Sequence, residues 1–195
     1  MKIFENKNDI EELKQLYLLH GGKWDKTNLC GIRNSFGPPN MWNCTLIYAT
    51  DNKIIAGVGT TIPGKNATEA KSAEHLGIGF HKDLWKKPEY GSKFGVDVFK
   101  QVGIIYGFYD KNKNYKYDPS DPTFEDKGPE IGCWMHSTKK SNLKYIDNSS
   151  WLCQVWKHYK EFEQITREAI QSKQELFSYL LMVLSNDNKM FYIQE

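Results

Sequence analysis

No stretch of this chain approaches the roughly 20 consecutive apolar residues that a membrane-spanning helix requires, so no membrane insertion is expected. The first 19 residues also lack the unbroken apolar centre of a secretory signal peptide, because Glu5, Asp9, Glu11 and Glu12 interrupt it. The expectation is synthesis in a cytoplasm with no export route of its own. A surplus of one charge is missing too. The 26 basic residues face 24 acidic ones, for a net charge of +2, and the lysines are scattered among Asp and Asn. Nucleic-acid binding needs a basic patch or stripe, so no nucleic-acid partner is expected. There is no C-x-x-C pair, which argues against a structural zinc site. The four cysteines, Cys30, Cys44, Cys133 and Cys153, have no disulfide-framework spacing, so reduced thiols are expected. No internal repeat or low-complexity linker divides the 195 residues, a length suited to one domain that buries its own core.

What is present reads as a mainly β (α+β) domain with two helices. Asn8 to His20 has helical spacing at Ile10, Leu13, Leu16 and Tyr17, with Asn8 as cap and Glu11 completing a capping box. Gly21-Gly22 ends it. This segment is expected to be an extension over residues 1–28, packed onto a main domain over 29–195. Leu29 to Arg33 is a short strand, and Gly37-Pro38-Pro39-Asn40 is a turn. Met41 to Ala49 and Ile54 to Thr61 flank Asp51-Asn52-Lys53 as a hairpin. Ala67 to His75 suits a short helix, followed by a glycine-rich, loop-rich span. There Phe80, His81, Lys82, Trp85 and Tyr90 either line a cleft or pack as ordinary loop residues. Val96 to Tyr109 fits one or two strands. A helix is expected from about Lys157 to Ser172, with Val155, Tyr159, Phe162 and Ala169 on one face. Phe177 to Leu184 and Met190 to Ile193 form a closing hairpin around Asn186-Asp187-Asn188.

Oxygen-bearing residues recur in one loop. Asp110, Asn112, Asn114, Asp118 and Asp121 stand at positions 1, 3, 5, 9 and 12 of a twelve-residue segment, and Lys116 offers its backbone carbonyl at position 7. That is the spacing of a calcium loop. Tyr115 occupies the position where the sharp turn usually demands glycine, and Asp121 is shorter than the usual final Glu. The flanks read as strand and loop rather than as two helices. The loop therefore either holds a structural Ca2+ beside the site or is an Asn/Asp turn satisfying its own backbone.

The chemistry-bearing stretch runs from Cys133 to Val155. It carries His136, a polar insert, and then Ser149-Ser150-Trp151-Leu152-Cys153. A thiol becomes a useful nucleophile when a neighbouring base or cation favours its thiolate. A cysteine is equally at home as a small core residue. The succession Asp110 to Asp118, Gly132-Cys133-Trp134-Met135-His136 and Ser150-Trp151-Leu152-Cys153-Gln154-Val155 resembles the signature of L,D-transpeptidase-like (YkuD-type) cysteine enzymes. It is most similar to a divergent branch of phage and bacterial genomes that joins an Asp/Asn-rich loop to Gly-x-x-x-His and Ser-x-Gly-Cys-Gln-Val segments. Gln154 stands where many members have Arg. Order and spacing agree over roughly residues 29 to 182.

The resemblance implies a single L,D-transpeptidase-like β-sandwich or barrel domain, with one helix before it and one after the cysteine motif. It implies Cys153 as nucleophile, His136 as its base, Ser150 hydrogen-bonded in the site to orient the imidazole, and backbone N–H groups near Leu152 and Cys153 steadying an oxyanion. No cofactor is required for that chemistry. The implied substrate is a peptidoglycan stem peptide, hydrolysed or transferred at the cell wall. Without an export signal, such an enzyme would act after release from the cell or as a bacteriophage virion component. Trp134, Trp151 and Trp156 either wall a substrate groove or pack as core. Leu152 replaces the family's glycine, which implies either a reshaped oxyanion hole or an inactive virion structural or interaction protein that keeps the fold. Exposed aromatics beside the Asp/Asn loop also suit a calcium-stabilised carbohydrate-binding module.

Overall fold

A computed structural model describes residues 7–34, 38, 40–70, 73–126, 128–129, 131–140, 142–184 and 190–191. Among them are three helices, α1 (Lys7–Leu19), α2 (Lys65–Ala70) and α3 (Tyr159–Gln171). The strands are β1 (Asn28–Arg33), β2 (Cys44–Ala49), β3 (Ile54–Thr60), β4 (Ala73–Leu76), β5 (Gly79–Lys86), β6 (Glu89–Gly91) and β7 (Val96–Val98). They continue with β8 (Ile105–Asp110), β9 (Thr123–Asp126), β10 (Met135–Ser137), β11 (Gln154–Trp156), β12 (Leu176–Leu184) and β13 (Met190–Phe191). The protein is mainly β with a curled mixed sheet, an α+β class.

The main sheet runs β10-β11-β3-β2-β1-β12-β13, with β5 also paired to β12. Pairing is parallel for β10 with β11 and for β1 with β12, and antiparallel elsewhere. β12 is long enough for two partners on one edge. β5 takes it from Leu176 to Leu181 and β13 takes Val183 and Leu184. The central strands are buried on both faces, and their period of two sorts side chains into two clusters. Leu29, Leu46, Tyr48, Tyr179 and Leu181 face Phe162, Ile165 and Ala169 of α3. Cys30, Ile32, Ile47, Ala49, Leu180 and Met182 face Leu13 and Tyr17 of α1. Helix α1 is therefore the cover of one sheet face. Its register is fixed by Tyr17 Oη, which donates to Leu29 O at 2.9 Å and to Ser178 O at 3.2 Å.

Several expectations shift. Helix α1 already includes Lys7, so Asn8 lies within its first turn rather than at a cap. The expected helix from Ala67 to His75 is split into α2 and the strand β4. Val155 belongs to β11, and the buried face of α3 is Phe162, Ile165, Thr166 and Ala169. The loop-rich span after Gly77 contains β5, where Asp83 has φ +47° and the register with β12 shifts between Phe177 and Tyr179. That irregularity breaks the alternation by which a strand is read. Within β5, Trp85 is core and His81 is buried with Nε2 on Gly77 O at 2.8 Å, so neither lines a cleft. The 37–40 turn falls partly outside the described residues, and the 186–188 turn wholly so.

Two close approaches position the later site. A Cβ on Gly31 would lie 1.8 Å from Tyr179 Oη. The missing side chain lets that phenol cross β1 and donate to Gln154 Oε1 at 3.0 Å, directly behind Cys153. A Cβ on Gly64 would lie 2.0 Å from the carbonyl oxygen of Asp147. Its absence lets the 63–66 segment clamp the loop that leads into Ser150.

Candidate active site

Parallel strands β10 and β11 carry the centre of the site. Their register places His136 opposite Val155, two residues after Cys153, so Cys153 and Val155 share a face. Cys153 and Val155 pack with Trp42, Ile62 and Ile146, against Trp134 and Leu143. Leu152 points the other way, into the main core with Trp156 and Phe162. Its φ is not positive. Leu152 thus sits without left-handed backbone, and its side chain belongs to a different cluster from the thiol.

The strand before His136 is pinned by its backbone. Trp85 Nε1 donates to Cys133 O at 2.7 Å, and Cys133 N donates to Gln101 Oε1 at 2.8 Å. Met135 exchanges two backbone hydrogen bonds with Phe99, at 2.9 and 3.0 Å. The loop before Cys153 is pinned by Asn40, a residue at φ +59°. Asn40 Oδ1 accepts Asp147 N at 2.7 Å and Lys65 N at 3.0 Å, while its Nδ2 donates to Asp147 Oδ1 at 2.7 Å. Gly64 N donates to Ser150 O at 2.9 Å. Ser150 Oγ donates to Cys153 O at 2.8 Å, so this hydroxyl closes the turn onto the Cys153 segment and is not bonded to the imidazole.

Cys153 is buried, and its Sγ donates to Gly132 O at 3.4 Å. Burial raises its thiol pKa; the N–H groups of Trp134, Leu152 and Trp151 and the ammonium of Lys93 oppose that rise. These amides are the surroundings that would stabilise a sulfur or oxygen anion. His136 is buried beneath Phe94, whose ring stacks on the imidazole at 4.0 Å and 14°. Its Nδ1 donates to Ser137 O at 3.3 Å, which makes Nε2 the unprotonated nitrogen, and Nε2 has no hydrogen-bond partner. Burial first, and Lys93 as well, lower the His136 pKa to about 4 against the pull of the Ser137 carbonyl. At neutral pH Cys153 rests as a thiol and His136 as a neutral imidazole. No hydrogen bond joins Sγ to the ring; proton transfer requires the thiol to turn from Gly132 O.

A pocket of about 490 Å³ opens beside His136. Its wall includes Lys93, Phe94, Lys139, Lys140, Leu143, Tyr145 and Asp147, and it does not include Cys153. Trp134 is half-buried, edge-on to Phe94 at 5.4 Å, with Lys100 Nζ 5.4 Å from its ring. Trp151 is 47 % exposed next to the thiol, and Trp156 is wholly core. Sequence reading missed Lys93, Phe94 and Asn40. The one local signal for the first two is the glycine-bracketed turn Gly91 to Gly95, which joins β6 to β7.

The oxygen-rich loop is drawn together but is mostly satisfied by itself. Asp110 accepts Asn114 N at 3.1 Å and Tyr115 N at 2.6 Å. Asp118 Oδ2 accepts Asn112 Nδ2 at 2.6 Å and Asn114 Nδ2 at 2.8 Å. Asp121 accepts Lys111 N at 3.3 Å and Asp118 N at 3.0 Å. Lys116 N donates to Asn114 Oδ1 at 2.8 Å. Tyr115 has φ +65°, the left-handed conformation that a calcium loop needs at its sixth position. Buried His75 Nε2 lies 3.7 Å from Asp110 Oδ2 and ties the loop to β4. Among the described residues, no group of three or more His, Cys, Asp and Glu side chains is placed to hold a metal ion.

Comparison of the chain with protein-family models, with curated proteins and with solved structures finds no match.

Proposed function

We propose that this protein is a cysteine acyl-transfer enzyme of L,D-transpeptidase type, with Cys153 as nucleophile and His136 as base, acting on peptidoglycan stem peptides. The observation that carries the reading is the parallel register that sets His136 opposite Val155, two residues after Cys153, with an unbonded nitrogen on a His136 that lines a pocket. In the reaction, Cys153 Sγ attacks the peptide carbonyl as His136 Nε2 takes the thiol proton. The tetrahedral intermediate expels the amine, which receives that proton, and leaves a thioester. Backbone N–H groups at Trp134, Leu152 and Trp151 line the space in which the oxyanion develops. Water or a second amine then cleaves the thioester, giving hydrolysis or transfer. Trp134 and Trp151 flank the peptide. The orientation of Leu152 favours this reading over an inactive virion protein, since the leucine does not fill the thiol's side of the strand. Action at a cell wall, after release or from a virion, belongs to the same proposal.

Mass spectrometry of purified peptidoglycan after incubation tests it. Shortened or exchanged stem peptides are expected with the wild type and not with Cys153→Ala. Identical product profiles with and without the wild-type protein would sink the assignment.

The Asp110–Asp121 loop is proposed as a structural calcium site, on the left-handed backbone of Tyr115 and the convergence of Asn112, Asn114 and Asp118. A bound ion would draw on Asp110, Asn112, Asn114, Asp118 and Asp121 side chains and the Lys116 carbonyl, holding β8 against the segment that follows. Millimolar calcium is expected to raise Tm by about 3 °C, the effect of roughly 1 kcal/mol of linkage on a domain of this size. Asp118→Ala should remove the rise. A wild-type Tm indifferent to calcium would mark the loop as a self-satisfied Asx turn.

A further inference from the structure

The pocket beside His136 has an electrostatic character that an acyl-transfer site does not itself require. Lys93, Lys139 and Lys140 line it, against a single acid, Asp147, whose Oδ1 already accepts Asn40 Nδ2. Among the described residues, none of the three lysines is paired with a carboxylate. Lys139 reaches across the opening; its Nζ is the nearest atom, 3.3 Å away, to where a Cβ on Gly95 would sit. Lys93 Nζ lies 5.8 Å from the Phe94 ring that covers His136. Between these cations the wall mixes the apolar Phe94 and Leu143 with the hydroxyls and amides of Thr138, Tyr145 and Asn148. His136 also lines the pocket, 2 % exposed and with its Nε2 buried and unbonded.

Resting on the acyl-transfer reading of Cys153 and His136, we propose that this pocket is a subsite for a carboxylate carried by the peptide substrate. Lys93 and Lys139 hold the anion, and Phe94 and Leu143 pack against the short aliphatic segment that bears it. Three cations of one sign around an opening draw in an anion and disfavour a neutral or cationic group at the same depth. The apolar part of the wall suits a carboxylate on a hydrocarbon arm better than a compact phosphate, which would leave Phe94 and Leu143 without a partner. Specificity then comes from the turn between β6 and β7, far in sequence from the nucleophile.

The test compares two alkylating agents of nearly equal size, iodoacetate and iodoacetamide, by their second-order labelling rates at Cys153. Dividing one rate by the other cancels any change in thiolate fraction that a lysine substitution causes. The wild-type iodoacetate-to-iodoacetamide ratio is expected to exceed that of the Lys93→Ala/Lys139→Ala/Lys140→Ala variant about tenfold, the size that two or three partly solvated ion pairs supply. Glutarate should protect wild-type Cys153 from iodoacetamide, which reads the subsite even if the triple variant folds poorly. Inorganic phosphate should protect less. Equal ratios in wild type and variant, or no protection by glutarate, would overturn the carboxylate subsite, and stronger protection by phosphate would replace it with a phosphate site. Failure of the underlying reading looks different. His136→Ala would then leave both labelling rates unchanged while the ratio still depended on the lysines.

Discussion

Iodoacetamide is expected to label Cys153 faster than Cys30 or Cys44, and His136→Ala to slow that labelling about 10²- to 10⁴-fold, the range over which a positioned base contributes. Access and surroundings set the order among the thiols. Cys30 and Cys133 are wholly excluded from solvent and packed in the two central clusters, and burial pushes both thiols up. Cys44 is 1 % exposed in β2, against 8 % for Cys153. Cys153 alone lies two residues before Val155, the residue opposite His136, among three backbone N–H groups and near the Lys93 ammonium. Since burial keeps its resting thiol protonated, reaction depends on a base that can accept the proton as sulfur attacks. His136 Nε2 is free to do so, because Nδ1 is committed to Ser137 O. Quenched time points, peptide mapping and the four single Cys→Ser variants give the rates. Labelling of Cys153 no faster than that of Cys30 or Cys44, or indifferent to His136→Ala, would falsify the nucleophile–base pair.

Lowering the pH from 7.5 to 5.5 is expected to destabilise the folded protein by about 4 kcal/mol, a fall in Tm on the order of 10 °C for a chain of this length. Three buried histidines are responsible. Burial lowers the pKa of His75, His81 and His136 to about 4 each, although Asp110, the Gly77 carbonyl and the Ser137 carbonyl respectively pull upward. An unfolded imidazole titrates near 6.5. Between 6.5 and 4 the unfolded chain therefore binds more protons than the folded one. The stability these groups contribute is complete above 6.5 and is lost as pH falls toward 4. One unit below the unfolded pKa, each costs about 1.4 kcal/mol. Denaturation followed at several pH values measures the slope. His75→Phe, which keeps the stack on Phe108 at 4.7 Å, should flatten it by about a third, one of three equal contributions. A Tm constant from pH 7.5 to 5 would contradict three neutral imidazoles in the interior.

The legible parts of the fold are those whose local pattern is strong. β1, β2 and β3 are runs of β-branched, aromatic and small residues around the Asp51-Asn52-Lys53 turn, and Thr50 N closes that turn on Lys53 O at 2.9 Å. Helices α1 and α3 announce themselves by spacing. β5 was illegible because the left-handed Asp83 and the shifted register with β12 spoil its alternation. β4 was absorbed into a helix because Ala73 and Glu74 favour helix locally, while pairing with β8 decides otherwise. At the candidate site, Cys153 and His136 stand out in the sequence by residue type and order. Phe94, Lys93, Asn40 and Gly64 do not, since each acts on a partner distant in the chain. Ser150 was read as orienting the imidazole, whereas its hydroxyl is spent on the Cys153 carbonyl. Tyr90 was offered as a cleft residue and is 65 % exposed, outside the pocket beside His136.

The parallel pairing of β1 with β12 joins residue 29 to residue 179, and it has a consequence for how the molecule comes into being. Such a contact closes almost the whole described chain into one loop, and non-local closures of this kind slow folding. Tyr179 is also the residue that reaches over Gly31 to hold Gln154. A ribosome-bound chain that has exposed His136 and Cys153 but not β12 lacks the strand that buries the sheet's centre and the phenol that fixes the segment behind the thiol. Cys153 thus acquires its final surroundings late, after nearly all of the described chain has been made.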